Sequence, residues 1–459
     1  MNALCWVRRD LRLEDHAAFS AATEAADRVV VGFVFDTRIL DPLPRDDRRI
    51  TFIHRSIEEL DARLKERGSR LLVAVGDPID ILPRWVSALG IDAVYANHDD
   101  EPYAQQRDDE VARNLKVAGS RLETFKDHVI FERREVLNQA GEPFRVYTPY
   151  SRAWRARLQI DDVNPRVADE DRLWPSDQLP LGDALPPLEA IGFAERDLWL
   201  ESGTSGAKSR LSDFTKSLDA YGKNRDFPGL EGTSGLSVHL RFGTLSIREC
   251  VRTALRHGSS GADTWLSELI WRDFYQMILA NFPHVVDGAF KSEFDRIDWP
   301  GTEAHFKRWC EGTTGYPLVD AAMQCLNATG WMHNRLRMVA ASFLVKDLLV
   351  DWRHGEAYFA EKLLDFDLAS NNGGWQWCAS TGVDAQPTYR IFNPILQSRK
   401  FDPDGTFIRR WIPELRHLSN DEVHWPHGCM VDYPHPVVEH GKQRELALAL
   451  LRSAGQADQ

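Results

Sequence analysis

The sequence lacks the features of a membrane, secreted or zinc-binding protein. No run of eighteen apolar residues occurs in its 459 positions, so no segment is long enough to cross a bilayer as a helix. The N-terminus becomes charged within eight residues and has no signal-peptide layout. The six cysteines are scattered without a C-x-x-C pair, which argues for reduced thiols and against a structural zinc site. We therefore expect a cytoplasmic protein that binds no metal.

Two further properties restrict the ligands. The Gly-x-Gly-x-x-Gly fingerprint is absent, so a dinucleotide bound on a sheet in the usual way is not indicated. The net charge of −13 argues against general nucleic-acid binding, and any DNA contact must come from a local basic face. Tryptophan, by contrast, is abundant: ten of the 15 lie after residue 260. This excess requires an explanation.

The first third of the chain alternates strand and helix patterns. Short runs rich in Val, Leu and Phe predict strands, and amphipathic segments between them predict helices. The predicted strands span 4–7, 28–35, 70–75 and 93–97, and the helices include 50–66 and 79–89. Such alternation predicts a doubly wound parallel sheet, whose ligands lie at the carboxyl ends of the strands. The acidic segment 97–103 follows one of these ends. It is either part of a ligand site or a solvated loop.

The chain is too long for one ordinary core, so two or three domains are expected. A segment rich in Pro, Asp, Leu and Gly, at about 161–200, has no periodicity and is typical of a connection between domains. After residue 201 only helical patterns occur, at 207–224, 246–257, 265–281, 317–329, 334–350 and 355–364. We expect an α/β domain at 1–130, a linker at 131–200 and an all-α domain at 201–459.

The stretch 331–377 concentrates the chemistry of the chain. A predicted helix at 334–350, with Asn334 as its N-cap, places Asn334, Arg337 and Met338 on one face. The segment DFDLASNNGGWQW (365–377) then brings two acids, amides, glycines and two tryptophans close together in sequence. Each of these residues alone fits a helix cap, a turn or a core position. Their combination favours a ligand site.

Three other groups lie in the helical part. Residues 232–237 (GTSGLS) combine hydroxyl groups and glycines, as a phosphate seat does, although many loops share this composition. One face of the helix 265–281 carries a carboxylate, a cation and two aromatic residues: Glu268, Arg272, Trp271 and Tyr275. Between 389 and 416, Arg and Lys interleave with aromatic residues, which indicates either contact with a DNA backbone or a solvated face.

Six of these motifs carry a family resemblance. GTSGLS, WLSELIWRDFY, TGYPLVDAAM, GWMHNRLRM, DFDLASNNGGWQW and RIFNP occur in the order and spacing of class I DNA photolyases and their cryptochrome relatives. The chain thus resembles this superfamily over nearly its whole length. The resemblance implies an α/β antenna domain, a helical domain that holds FAD in a U-shaped conformation, and light-driven splitting of cyclobutane pyrimidine dimers.

The resemblance also assigns residues to the flavin. The matching cofactor-binding positions are Tyr221, Thr233, Ser234, Gly235, Leu236, Ser237, Trp271, Arg272, Asn334, Arg337, Asp365, Asp367 and Asn371. Many members carry Arg where Gly235 stands. By analogy, Asp367 accepts a hydrogen bond from flavin N3–H, Asp365 pairs with Arg337 beside the ring, and Asn371 faces flavin N5. The implied electron chain to the surface consists of Trp375, Trp352 and Trp299.

The resemblance places the flipped-out dimer against Glu268 and Met338, between walls formed by Trp271 and Trp377. The implied phosphate contacts of the UV-damaged DNA are Arg225, Arg335, Arg390, Arg399 and Lys400. Asp99 and Glu101 match an antenna site, where an 8-hydroxy-deazaflavin is favoured over methenyltetrahydrofolate, a flavin or an empty pocket. We expect a monomeric enzyme. The alternative is a cryptochrome-like photoreceptor that signals through a partner, against which Asn371 and the Glu268/Met338 pair argue.

Overall fold

The computed structural model describes residues 1–179, 184–384 and 389–456. Contacts within the chain divide it into two compact units. Unit 1 consists of Met1–Leu137, Ser151–Lys216 and Ser234–Ala280, and unit 2 consists of Asn138–Tyr150, Ser217–Thr233 and Asn281–Gln459. The domain boundaries that the sequence suggests at 130 and 200 stay a proposal.

Unit 1 contains a sheet of five parallel strands. They are β1 (Asn2–Val7), β2 (Arg28–Asp36), β3 (Leu71–Gly76), β4 (Ala93–Asn97) and β5 (Arg121–Phe125), in the spatial order β3-β2-β1-β4-β5. Cys5 of the central strand pairs with Val31 on one side and Tyr95 on the other. The predicted parallel α/β sheet is confirmed. Strand β5 was missed because RLETF is a polar, partly exposed edge strand without the apolar signature of a buried one.

The α-helices follow the predicted pattern with a few differences. In chain order they are α1 (Ala17–Ala25), α2 (Thr37–Leu40), α3 (Arg48–Glu66), α4 (Pro78–Leu89), α5 (Pro102–Val117), α6 (Tyr147–Arg157), α7 (Ile160–Val163), α8 (Gly203–Thr215), α9 (Tyr221–Asn224), α10 (Ser237–Arg241), α11 (Ile247–His257), α12 (Ser260–Asn281), α13 (Glu303–Glu311), α14 (Pro317–Thr329), α15 (Asn334–Lys346), α16 (Trp352–Lys362), α17 (Leu368–Ala379), α18 (Pro394–Phe401), α19 (Thr406–Trp411) and α20 (His440–Gln456). Within the described residues, no strand follows position 201 and no helix is long and apolar enough to cross a membrane.

Helix α15 differs from its prediction at both ends. Its N-cap is His333, whose ring nitrogen accepts from the backbone N–H of Arg335 at 3.1 Å, so the prediction of Asn334 as the cap was wrong by one position. The helix ends at Lys346 rather than at 350, because the chain turns through Leu349 at a φ of +54°. Four predicted site residues lie in its first two turns: Asn334, Arg335, Arg337 and Met338.

The predicted helix 207–224 is interrupted. Helix α8 ends at Thr215, a 3₁₀ turn covers Leu218–Ala220, and the short helix α9 follows. The hydroxyl of Thr215 donates to the carbonyl of Ser212 at 2.7 Å, a local bond of the kind that competes with helix continuation. The apolar periodicity of the sequence continues across this interruption and therefore predicts one continuous helix.

The hydrophobic core of unit 2 is formed largely by side chains of helices α14, α15 and α17. Its largest buried side chains include Trp309, Phe343 and Trp352, and Trp375 is only 2 % exposed. Several of the tryptophans that the sequence concentrates after residue 260 are thus core residues of this unit. Their packing fixes α15 and α17 side by side, which positions the polar residues at the ends of these helices.

Candidate functional site

An ion pair links the loop before α17 to helix α15. Nη2 of Arg337 donates to Oδ2 of Asp365 at 2.7 Å, and Nε donates to the carbonyl of Met332, also at 2.7 Å. The Asp365 side chain is 2 % exposed. Its other oxygen, Oδ1, is buried and has no hydrogen-bond partner among the described residues. A buried, unpartnered carboxylate oxygen is rare in a folded protein, and a bound donor would satisfy it.

Helix α17 begins directly after this loop. Asp367 is its N-cap and accepts from the backbone N–H of Ser370 at 3.0 Å. Asn371 donates to the carbonyl of Glu356 at 3.1 Å, and Asn372 donates to the carboxylate of the same residue at 3.0 Å. The run of two asparagines and two glycines is therefore helical and does not form a turn. The two asparagines connect α17 to α16 through hydrogen bonds to a single residue, Glu356.

Glu356 is the residue in this region that sequence reasoning missed. Burial raises the pKa of its carboxyl group to about 7, although the hydrogen bond from Asn372 works in the opposite direction. A group that changes charge near neutral pH beside Asn371 lies next to the position predicted to face flavin N5. No residue pattern in the sequence distinguishes it from an ordinary surface glutamate of an amphipathic helix.

The three tryptophans of the predicted electron chain all lie in unit 2. Trp375 and Trp352 are buried, and Trp299 is half-buried. The rings nearest to Trp375 are those of Phe359, at 4.9 Å between centroids, and Trp309, at 6.0 Å. Helix α16 passes Trp375 at Gly355, where an added Cβ would lie 2.1 Å from the indole. The packing therefore requires glycine at this position.

The predicted substrate residues of unit 2 lie near the N-terminus of α15 and the C-terminus of α17. Met338 and Trp377 are half-buried and pack against the hydrophobic core of the unit, whereas Asn334, predicted to line the flavin cavity, is exposed. Arg335 is not free to turn toward solvent: its Nη2 donates to Asp226 at 2.8 Å, and its guanidinium lies 4.4 Å from the ring centre of Phe401.

The basic stretch divides into two groups. Arg390, Arg399 and Lys400 are exposed, and Lys400 stacks on Phe401 at 4.9 Å. Arg409 instead donates to the backbone carbonyl of Leu418, and Arg416 donates to that of Arg409. Arg225 lies over the ring of Tyr221 at 5.6 Å. Arg390 and Lys400 are thus exposed cations above the rings of Phe392 and Phe401, an arrangement that a nucleic-acid-binding surface also uses.

Unit 1 contains the other predicted residues. Residues 234–237 form the turn before α10: the N–H of Leu236 lies 3.4 Å from the Ser234 hydroxyl, and Gly235 has a φ of +62°. Tyr221 and Thr233, predicted for the same seat, belong to unit 2, where Tyr221 is buried and Thr233 half-buried.

Helix α12 carries the predicted substrate face. Glu268 and Trp271 are half-buried, and the rings of Trp271 and Tyr275 lie 5.5 Å apart. Arg272, predicted to line the flavin cavity, has its guanidinium against the ring and the carbonyl of His128. This partner could not be found from the sequence, where it stands 144 residues away.

The acidic segment after β4 is neither solvated nor unpaired. Arg9, which follows β1, donates to Asp99 at 3.2 Å and to Glu101 at 2.8 Å, and Arg241 donates to Glu101 at 3.0 Å. Burial alone would raise the pKa of Asp99, but Arg9 and other nearby arginines hold it well below its usual range. A small cavity of about 10 Å³ lies beside this network, lined among others by Arg8, Asp10 and Asn97.

In the part of the chain that the structure describes, no three His, Cys, Asp or Glu side chains are placed so that they could hold a metal ion together. The fold and the site instead define a two-part protein, with a parallel α/β sheet in one part and a helical core with buried polar groups in the other.

Comparisons with known proteins agree with this architecture. Residues 3–169 match the family model described as DNA photolyase, and residues 265–453 match the model described as FAD binding domain of DNA photolyase. The deoxyribodipyrimidine photo-lyase of Synechococcus is 40% identical over 97% of this chain and 96% of its own length.

Solved structures extend the comparison. A class III photolyase from Agrobacterium tumefaciens superimposes with a TM-score of 0.90 at 34% identity, over 99% of this chain and 98% of its own. An archaeal photolyase from Sulfolobus tokodaii with two FAD molecules gives 0.87 at 33%, over 99% and 100%. A Synechocystis cryptochrome gives 0.89 at 26%, over 98% and 99%. The chain belongs to the DNA photolyase family. The predictions of an enzyme of the photo-lyase type, with a helical FAD-binding domain, are confirmed.

Proposed function

We propose that the protein repairs cyclobutane pyrimidine dimers in DNA with light, as class I photolyases do. Reduced FAD bound here would supply the photochemistry, a one-electron transfer to the dimer and back, so that the two carbon–carbon bonds of the cyclobutane ring open without net oxidation or reduction. The chain's own residues must then hold the flavin, exclude water and present the dimer.

The observation that carries the proposal is the Arg337–Asp365 pair with its unpartnered buried oxygen. An N–H group of the flavin ring would provide the missing hydrogen-bond donor, and Arg337 would provide positive charge beside a reduced, anionic ring. Asp367 and Asn371, both buried in the first turns of α17, would complete this side. The residues present therefore fit FAD.

The substrate side is proposed from the half-buried residues. In unit 1, Glu268 would accept a hydrogen bond from the flipped-out bases, with Trp271 as an apolar contact beside it. In unit 2, Met338 and Trp377 are the proposed apolar contacts of the dimer. Exclusion of water by apolar side chains would strengthen the bond to Glu268. The exposed Arg390, Arg399 and Lys400 would bind the phosphates of the surrounding strand.

An antenna chromophore at Asp99 and Glu101 is part of the proposal, with 8-hydroxy-deazaflavin favoured over methenyltetrahydrofolate. Both carboxylates already pair with Arg9, so a chromophore there would have to add to an existing charge network. A flavin is the third alternative, and the relative from Sulfolobus tokodaii, whose structure contains two FAD molecules, supports it. The absorption spectrum of the purified protein distinguishes the three.

The repair enzyme and the photoreceptor differ in their binding of damage. We expect the purified protein to contain FAD and to bind an oligonucleotide with one thymine dimer at least ~100-fold more tightly than the undamaged oligonucleotide, because only the dimer fills the pocket. Equal affinity for both oligonucleotides, in a protein fully loaded with FAD, would support the cryptochrome-like alternative.

A further inference from the structure

Gly235 lies at the centre of the predicted phosphate seat and is buried. Its φ of +62° is a backbone conformation that residues other than glycine rarely adopt. The space on its side-chain face is also filled, because an added Cβ would lie 2.4 Å from Nη2 and 2.7 Å from Nε of Arg210. The guanidinium of α8 thus lies directly against the backbone of this turn, and only glycine at 235 leaves room for it.

Arg210 holds the turn by a specific bond. Its Nε donates to the carbonyl of Ser234 at 2.8 Å, and its guanidinium lies 5.8 Å from the ring centre of Trp199. In the described part of the chain, Nη1 and Nη2 donate to no other group and no carboxylate forms an ion pair with Arg210. The Nε of Arg210 is therefore used for the bond to the Ser234 carbonyl, whereas the donors on Nη1 and Nη2 and the positive charge of the guanidinium remain available to a ligand.

The neighbouring ionisable groups leave this charge uncancelled. His239, two residues after the turn, is buried, and its pKa is lowered to about 4 by burial and by the charge of Arg210. Asp213 on α8 is exposed, and its pKa is lowered first by a hydrogen bond from Lys216, with Arg210 a minor contributor. A buried turn with a cation behind it favours an anion.

We propose that Arg210 is a positioning residue of the FAD diphosphate seat: it fixes the Ser234–Gly235 peptide and contributes the positive charge that favours the diphosphate. This inference rests on the proposed function, because FAD is the ligand of the seat. It concerns the diphosphate and not the flavin ring, whose predicted contacts Asp365 and Asp367 lie elsewhere in the chain.

The test compares FAD with riboflavin, which lacks the diphosphate. Full-length protein is freed of flavin, and the dissociation constants of both ligands are measured by flavin fluorescence for the wild type and five variants. Arg210→Ala removes the guanidinium, and Gly235→Ala displaces it while Arg210 itself is retained. Lys216→Ala removes an exposed cation near the end of α8 and is the control.

We expect Arg210→Ala and Gly235→Ala each to weaken FAD binding by about tenfold or more, the range for a charge-assisted hydrogen bond, and to change riboflavin binding less than ~2-fold. The double variant should be no worse than the poorer single variant, because both changes remove one interaction. Lys216→Ala should match the wild type, and Arg210→Lys should recover part of the FAD affinity.

Either of two results for Arg210→Ala would overturn the inference. One is native affinity for FAD. The other is an equal loss of FAD and riboflavin binding together with a lower melting temperature, which marks a purely structural residue. A wild type that binds riboflavin and FAD equally contradicts a diphosphate seat as well. A wild type that binds no flavin overturns the proposed function, and this inference with it.

Discussion

Replacement of Arg337 by methionine tests the ion pair on which the proposed flavin site depends. The substitution keeps most of the apolar side-chain volume and leaves the carboxylate of Asp365 buried without a cation. Loss of one partner of a buried ion pair costs about 3–5 kcal/mol. The Arg337 side chain is 26 % exposed, so solvent screening places the expected loss at the lower end, about 3 kcal/mol.

For a unit of this size, such a loss lowers the melting temperature by roughly 6–12 °C. The matched control is the double variant Arg337→Met with Asp365→Leu, which removes both charges and should recover most of the stability, because an apolar pair avoids the desolvation of two ions. The double variant should nevertheless fail to bind FAD. Thermal unfolding of flavin-free protein and the FAD content of purified protein measure the two effects separately.

The reasoning is refuted if Arg337→Met melts within ~1–2 °C of the wild type. It is equally refuted if the double variant binds FAD normally, because the pair would then stabilise the fold without contributing to the flavin site.

Four other changes probe separate parts of the protein. Glu268→Ala should weaken binding of dimer-containing DNA by about 1–3 kcal/mol while flavin content stays near normal, as gel-shift titration and flavin absorbance would show; loss of flavin would place Glu268 on the cofactor side. Replacement of Arg399 and Lys400 together by alanine should weaken binding of damaged and undamaged DNA by similar factors. The slope of log affinity against log salt concentration should fall by roughly 0.9 for each phosphate that the protein no longer neutralises. An unchanged slope would mean that the two side chains only face solvent. Trp375→Phe should abolish photoreduction of oxidised flavin but leave repair by chemically reduced enzyme intact. It should lower the stability of the fold by about 1–2 kcal/mol. Photoreduction at the native rate in air-free buffer would show that Trp375 is a core residue only. The raised pKa of Glu356 favours its neutral form in the folded state, so its contribution to stability is full below pH 4.5 and lost as the pH rises through about 7. Glu356→Gln should therefore raise the melting temperature relative to the wild type at pH 8 but not at pH 5, and equal effects at both values would contradict the burial of the charge.

The sheet and most helices could be predicted because their signals are local. Apolar runs of four to nine residues define β1 to β4, and the charged edge strand β5 lacks that signal. Helix ends were less accurate, because they depend on single backbone conformations such as the positive φ of Leu349. Periodicity alone also joined α8 to α9 across a 3₁₀ turn.

The candidate site shows a different limit. Motif resemblance suggested the pair of Arg337 and Asp365, and the structure shows it at hydrogen-bond distance. The partners that set the charge of the other groups could not be inferred, because they come from distant parts of the chain. Arg241 is 140 residues from Glu101, and no local pattern connects them.

The measurement that tests the proposed repair activity most directly is the number of dimers restored per protein molecule. An oligonucleotide with a single thymine dimer, in tenfold excess over dithionite-reduced protein, is illuminated with blue or near-UV light, and intact thymines are counted against a dark control. We predict that each protein molecule restores several dimers in the light and none in darkness. Protein that is fully loaded with FAD and bound to the damaged DNA, yet restores no dimer in the light, would contradict the function proposed for this chain.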